Sequence, residues 1–500
     1  MKKALAQFLN FSFLSVSRAS FRVFPILAFF MPLMVRALPE LLMGGYIVGF
    51  DTISYYVPVV CKWVDYGVGF WEFFGYAPLF YMLLYGLSSV GISLTVSLKV
   101  FPTILHGFLG LAIFGYATKG LGWSSLKGLF VSLLATLYFV GLRISWDMLR
   151  SELGLIFLFI FLMVLQRFKF DSSGKRFGVL LLSMLLVALS HQLVSVIMFV
   201  IVFAVVLEKL LKRNYSFVCR LLLAVLPALV VFGLTVYAYY GVLPAFSDDV
   251  VAGGRLEWLS LMGYSSTADG IINTFGFLFF CYLPFLPFIV LGMRKFESLE
   301  LKAWFVWCLV GVLVPFFFVS APLGYRWILL LCFPFAFLVV EGFGRLSFSL
   351  VKKVLLGFAV LLSFSFVLLP AEAAFPYFGL YPCYVPSSML QNSVPLSDCT
   401  DVVKALSWVE ANADSSVVLL VHDAFYGWAL LYADGVKILR YGYASPEDAA
   451  LTFSEQGCGR LFLVWWVSGE GWHGQRGLSS LFKEVFRSGR IAVYKFGDEA

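Results

Sequence analysis

Apolar runs separated by short polar breaks repeat along the first 370 positions of this chain. Eleven of them approach or reach the length that crosses a bilayer as a helix: 21–43, 97–118, 127–143, 153–166, 177–190, 192–207, 217–240, 271–292, 303–320, 325–344 and 354–370. One further stretch, Ala77 to Leu98, is ambiguous. Lys and Arg collect in cytoplasmic loops, and this bias settles the question. If Ala77–Leu98 stays on one side, as a juxtamembrane or re-entrant helix, a single face receives most of the basic residues. It holds Lys2, Lys3, Arg18 and Arg22, the Arg167–Arg176 turn, the Lys209–Arg220 turn and Lys352 with Lys353. The other face keeps Arg36, Lys62, Lys99, Arg143, Arg150, Arg255 and Arg326. The expectation is a cytoplasmic N-terminus, held by an uncleaved anchor, and an extracytoplasmic C-terminal region in a multi-pass plasma (cell) membrane protein.

After Pro370 the pattern changes. Residues 371–395 read as a Pro-rich aromatic linker, and 396–500 as a small extracytoplasmic α/β domain. Helices are expected over Leu396–Ala411, Ala424–Ala433, Ser445–Glu455 and Gly477–Arg487. Strands are expected over Ser416–Val421, Val436–Leu439, Arg460–Val467 and Ile491–Phe496. The fold class is therefore an α-helical polytopic membrane protein with a C-terminal soluble α/β domain.

Composition agrees: 61% of the 500 residues are hydrophobic and only 13% charged, where a soluble chain carries about 25% charged residues. The formal charge of +7 sits in short loops, so it points to no nucleic acid partner. The eight cysteines form no CxxC pair. Cys219, Cys281, Cys308 and Cys332 read as small core residues, while Cys383 and Cys399 are placed to pair if their region lies outside the cytoplasm. No internal repeat is present, unlike many secondary transporters. His422, Asp423 and His473 match no catalytic motif.

Chemistry gathers at the outer ends of the spans. Asp51 follows the first span in GGYIVGFDTISYYVPVV, beside Thr52, Ser54, Tyr55 and Tyr56; a carboxylate there is costly unless it has a partner or a task. GLRISWDMLRSELG (141–154) packs Arg143, Asp147, Arg150 and Glu152 between apolar walls, with Asp147 and Arg150 spaced i, i+3 to share a helical face. His191 falls between two short spans, and Gly241–Gly270 is a third outer loop with Asp248, Asp249, Arg255, Glu257 and Asp269. Arg326, in SAPLGYRW, is suited to hold a phosphate. For each site a plainer reading exists: a solvated interfacial acid at Asp51, self-neutralising ion pairs at 143–152, a hydrogen-bonding His191, an Arg326 that snorkels.

Carboxylates and arginines above an apolar bundle suit glycosyl transfer from a polyprenyl phosphate. A carboxylate takes the proton of an acceptor hydroxyl, and Arg or a divalent metal steadies the departing phosphate. Four stretches resemble the GT-C superfamily of multi-spanning glycosyltransferases, such as protein O-mannosyltransferases, aminoarabinose transferases and oligosaccharyltransferases. GFDTISYY resembles the acidic motif after the first span, YAPLFYMLLYGL the juxtamembrane helix, RISWDMLRSELG the second outer loop, and GYRWILLLCFPFAFLVVEG the late Arg-initiated span. WVDYG (Trp63–Gly67) is similar to the oligosaccharyltransferase signature but stands in the wrong region, and Asp51 is a single acid where several relatives have two.

The resemblance implies Asp51 and Asp147 as catalytic or metal-binding carboxylates, for Mg²⁺ or Mn²⁺. It implies Arg150 and Arg326 as phosphate contacts, with Glu152, His191, Tyr55 and Arg143 as further candidates. The implied reaction is inverting hexosyl or pentosyl transfer. The donor would be a dolichyl- or undecaprenyl-type lipid, and the acceptor a glycan, lipid or protein. The alternatives are a flippase of lipid-linked sugars and a non-catalytic membrane assembly protein.

Overall fold

The computed structural model describes residues 20–170, 173–242, 266–294, 296–317, 324–345, 349–381, 384–414, 416–442, 445–455, 460–467 and 478–497. Helix α1 (Ser20–Leu42) leads to a π-helical turn over Thr52–Tyr56, then α2 (Val57–Tyr66), α3 (Phe70–Gly75) and α4 (Leu79–Ser89). Next come α5 (Leu94–Gly115), a second π turn over Tyr116–Gly120, α6 (Ser125–Leu137), α7 (Phe139–Asp147) and α8 (Leu149–Phe170). They are followed by α9 (Gly174–Ser190), α10 (Gln192–Leu211), α11 (Tyr215–Val242), α12 (Thr267–Tyr282) and α13 (Leu286–Met293). The helical part closes with α14 (Leu299–Phe317), α15 (Gly324–Leu330), α16 (Cys332–Phe343), α17 (Ser349–Leu368) and the short α18 (Pro376–Leu380).

All eleven apolar stretches lie on helices over most of their described residues, two of them with a break, at Tyr138 and at Leu331. Among the described residues, eight helices are long and apolar enough to cross a membrane, or nine if the bent pair α6–α7 is one span. These are eight of the eleven expected spans, and the other three are α6–α7, α9 and α14. Residues 127–143 fall on that pair, which is bent by 59°; α9, at 17 residues, is short, and α14 runs up to undescribed positions. Helix α11 shows why the bundle needs lipid: Leu222, Leu223, Leu226, Leu229 and Val230 all point outward, a contiguous apolar surface that water does not tolerate. Cys219 of this helix is exposed too, against expectation, whereas Cys281, Cys308 and Cys332 are buried.

Ala77–Leu98 divides into α4 and the start of α5. At 11 residues, α4 is roughly 16 Å long, too short to cross. Its buried side chains Phe80, Tyr81 and Leu84 pack toward Tyr56 and Trp63 of the first loop.

Beyond the bundle, α19 (Leu396–Asn412), β1 (Val417–His422), α20 (Asp423–Tyr432), β2 (Lys437–Tyr441), α21 (Pro446–Glu455), β3 (Arg460–Trp466), β4 (Phe482–Ser488) and β5 (Ile491–Phe496) form a covered sheet. Its strand order is β2-β1-β3-β5-β4. The first three strands are parallel, and β4 and β5 run antiparallel to their neighbours. The helix expected over Gly477–Arg487 is thus corrected to a strand. Leu481, Phe482, Val485 and Phe486 fit a helical stripe, but the tight turn at Gly489 folds this segment back onto β5, and ladder pairing decides. Cys383 lies outside the described residues; Cys399 carries a free thiol, pushed up to about 12 by burial.

Candidate functional site

The first loop is helical almost from its acid. Asp51 precedes the π turn, in which Val57 N–H donates to the Thr52 carbonyl, an i→i+5 bond of the kind often found at functional sites. The wider turn buries Thr52, Ser54 and Tyr56 and leaves Asp51 and Tyr55 as its partly open residues. Gly49 makes the approach possible: its φ is +98°, and a Cβ there would stand 2.1 Å from the Trp146 carbonyl oxygen. No other residue fits.

The second expected loop is two helices meeting at Met148, whose ψ of 48° breaks the ladder. Arg143 and Asp147 share α7 and form an ion pair at i, i+4. The helical face expected to carry both Asp147 and Arg150 is not formed, because the break at Met148 falls between them. Arg150 instead donates from Nη1 to the Tyr76 carbonyl and stacks 5.4 Å from the centre of the Tyr81 ring.

Arg326, near the start of α15, places Nη2 at 3.6 Å from Asp51 Oδ2, with both side chains about one-fifth exposed (20% and 22%). The charges acting on buried Asp147 are Arg143, Asp51 and Arg326, so the two carboxylates share one field. His191 joins them from the extended junction between α9 and α10. It lies in the field of Arg150 and Arg326, and its Nδ1 is buried without a partner. The Nε of Arg150 and the hydroxyls of Thr52 and Ser54 are likewise buried and unpartnered. Such groups cost about 1–3 kcal/mol each unless something arrives to satisfy them.

The linker stitches this cluster to the sheet. Arg143 Nε donates to the Tyr384 carbonyl at 2.8 Å, and the Tyr384 hydroxyl meets Thr274 Oγ1 at 3.0 Å. Trp146 Nε1 donates to the Gln391 carbonyl, and Asn392 Nδ2 to that of Ile47. Helix α20 sits directly on the π turn: a Cβ at Gly427 would lie 1.6 Å from the Ile53 carbonyl oxygen.

Glu152 belongs elsewhere. It points into the bundle, where Oε1 lies 2.6 Å from His106 Nδ1, both side chains fully buried. His106 Nε2 sits 3.0 Å from the Thr136 carbonyl, so Nε2 must carry a proton and Nδ1 shares another with Glu152. His106 was not singled out in the sequence, although a lone ionisable residue within a span is a signal in itself. Tyr55 borders the cluster on the sheet side. Of the third loop, residues 243–265 lie outside the described residues; Asp269 stands in the first turn of α12.

Among the described residues no three His, Cys, Asp or Glu side chains converge on a metal position. Two hard carboxylates, Asp51 and Asp147, are what the site offers, and Mg²⁺ commonly takes one or two carboxylates together with substrate phosphate.

No protein-family model and no curated protein matches the sequence. Among solved structures, the chain is similar to the Archaeoglobus fulgidus oligosaccharyltransferase in complex with Zn and sulfate, at 14% identity and a TM-score of 0.45, over 87% of this chain and 68% of that one.

Proposed function

We propose that this protein is a membrane glycosyltransferase that moves a sugar from a polyprenyl phosphate to an acceptor at the extracytoplasmic face. The observation that carries this reading is the meeting of Asp51, Asp147, Arg150, Arg326 and an unsatisfied His191 at helix ends over an apolar bundle. A lipid tail lies along such a bundle, and its phosphate reaches the helix ends.

The loose Asp51–Arg326 pair suggests the order of events. A donor phosphate takes the Arg326 and Arg150 guanidinia by charge-assisted hydrogen bonds, which releases Asp51 from its counter-ion. Asp51 then accepts the proton of the acceptor hydroxyl as its oxygen bonds to the anomeric carbon. The bond from that carbon to the phosphate oxygen breaks, and the arginines hold the departing anion. Asp147, fixed by Arg143 and by the Tyr56 hydroxyl bonded to its carbonyl, positions the groups around it. If a divalent cation takes part, Asp51 and Asp147 are the residues that would hold it, and it would neutralise charge on the leaving phosphate. His191 Nδ1 is placed to share the binding of that anion.

The test is transfer from a radiolabelled polyprenyl-phosphate sugar by the protein in nanodiscs. Asp51→Asn should cost about 100-fold or more with unchanged thermal unfolding. Full transfer by a folded Asp51→Asn variant would overturn the assignment of the base.

A further inference from the structure

The sheet contributes a cation of its own to the rim of this site. Arg440 stands on β2, the edge strand of the order β2-β1-β3-β5-β4. Its Nε donates to Asp423 Oδ1, while its guanidinium lies 5.3 Å from the centre of the Tyr426 ring and 5.8 Å from that of Tyr55. Among the described residues nothing accepts from its two Nη groups, and the side chain remains 32% exposed. Tyr55 is the partly open residue one turn after Asp51. Tyr76 connects the two sides, for it lies in the field of both Arg150 and Arg440.

We propose that Arg440, Tyr55 and Tyr426 form a subsite for an acceptor glycan that carries a negative charge, as carboxylate or phosphate. The proposal rests on the glycosyl-transfer reading and names the acceptor's chemical class. The two Nη groups offer the paired donors that a carboxylate or phosphate takes, and tyrosine rings offer apolar faces to the C–H side of a sugar. Position assigns the group to the acceptor. Arg326 reaches Asp51 from the helices, with Arg150 in its field, the side of the lipid-borne donor, whereas Arg440 reaches Tyr55 from the sheet. The plainer role is a clamp, in which Arg440 stacks on two rings only to seat the sheet on the first loop.

The experiment is ligand-observed NMR on the full chain in nanodiscs. The probes are a uronic-acid disaccharide, a neutral disaccharide of the same linkage, and a short prenyl phosphate. Wild type should favour the charged disaccharide by about tenfold, the worth of one charge-assisted contact. Arg440→Gln should abolish that preference and leave prenyl phosphate binding unchanged. Asp423→Asn, which keeps the cation, should retain it. If Arg440→Gln fails to fold, Arg440→Lys serves, and it should weaken the preference by losing the paired geometry. A preference that survives Arg440→Gln, or is absent in wild type, overturns the proposal in favour of the clamp. Loss of prenyl phosphate binding in Arg440→Gln also overturns it and moves Arg440 to the donor side. Because binding is read without turnover, a charge preference in a protein that transfers no sugar would fault the transferase reading alone.

Discussion

Two acidic residues of the helical part behave in opposite ways: Asp51 at the rim of the bundle and Glu152 inside it. Glu152 is fully buried, 2.6 Å from His106, and the imidazole is anchored on its far side by the Thr136 carbonyl. Asp51 is one-fifth exposed and 3.6 Å from its arginine, among buried donors and acceptors that have no partner. A close hydrogen-bonded pair through Oε1, with Oε2 buried and unpartnered, holds α5, α6 and α8 together. An open one leaves room for a ligand to complete it. The lesson is that charge within a membrane protein declares its purpose by how tightly and how openly it is held, not by how deeply it lies.

The contrast can be broken by substitution. The largest effect should follow from Arg326→Ala, which removes the proposed phosphate contact: transfer should fall by about 100-fold or more, with a thermal unfolding curve close to wild type. Glu152→Ala should do the reverse at the level of stability, costing about 3–5 kcal/mol because His106 is left buried with a broken pair, as read by unfolding in detergent. If Arg326→Ala unfolds the protein and Glu152→Ala does not, the distinction between lock and site is wrong. Gly427→Ala comes next. Its methyl would collide with the Ile53 carbonyl, and overpacking of this kind costs about 1–3 kcal/mol; limited proteolysis between the bundle and the sheet should accelerate. Arg326→Lys should have the smallest effect, a roughly tenfold loss of transfer, since it keeps the charge and loses the paired donors.

Much of this architecture is legible in the sequence because a bilayer imposes length. Each long apolar run lies on helix, and the 11 residues of α4 fit the expectation that Ala77–Leu98 does not cross. The meeting of Asp51, Asp147, Arg150 and Arg326 is foreshadowed by the same rule, as ionisable groups at the ends of apolar runs have few places to go. Local pattern fails where distant pairing decides. Segment 482–488 has apolar spacing that suits a helix, yet its ladder with β5 makes it a strand. The i, i+3 spacing of Asp147 and Arg150 suggests a shared helical face that one residue, Met148, prevents. Arg440 carries no signal at all: an arginine on a soluble strand is ordinary, and only the packing of α20 on the π turn brings it beside Tyr55.

That π turn has a consequence for how this stretch can vary. A single additional residue is accommodated between Asp51 and α2, while Trp63, further along, stays fixed in its packing. Deleting one residue from Thr52–Tyr56 would restore a regular helix and swing everything before it through about 100°. The acid would keep its identity and its neighbours in sequence but face away from Arg326. The aim of Asp51 is therefore set by chain length, so insertions and deletions here should be purged even where substitutions at Ile53 or Tyr55 are tolerated.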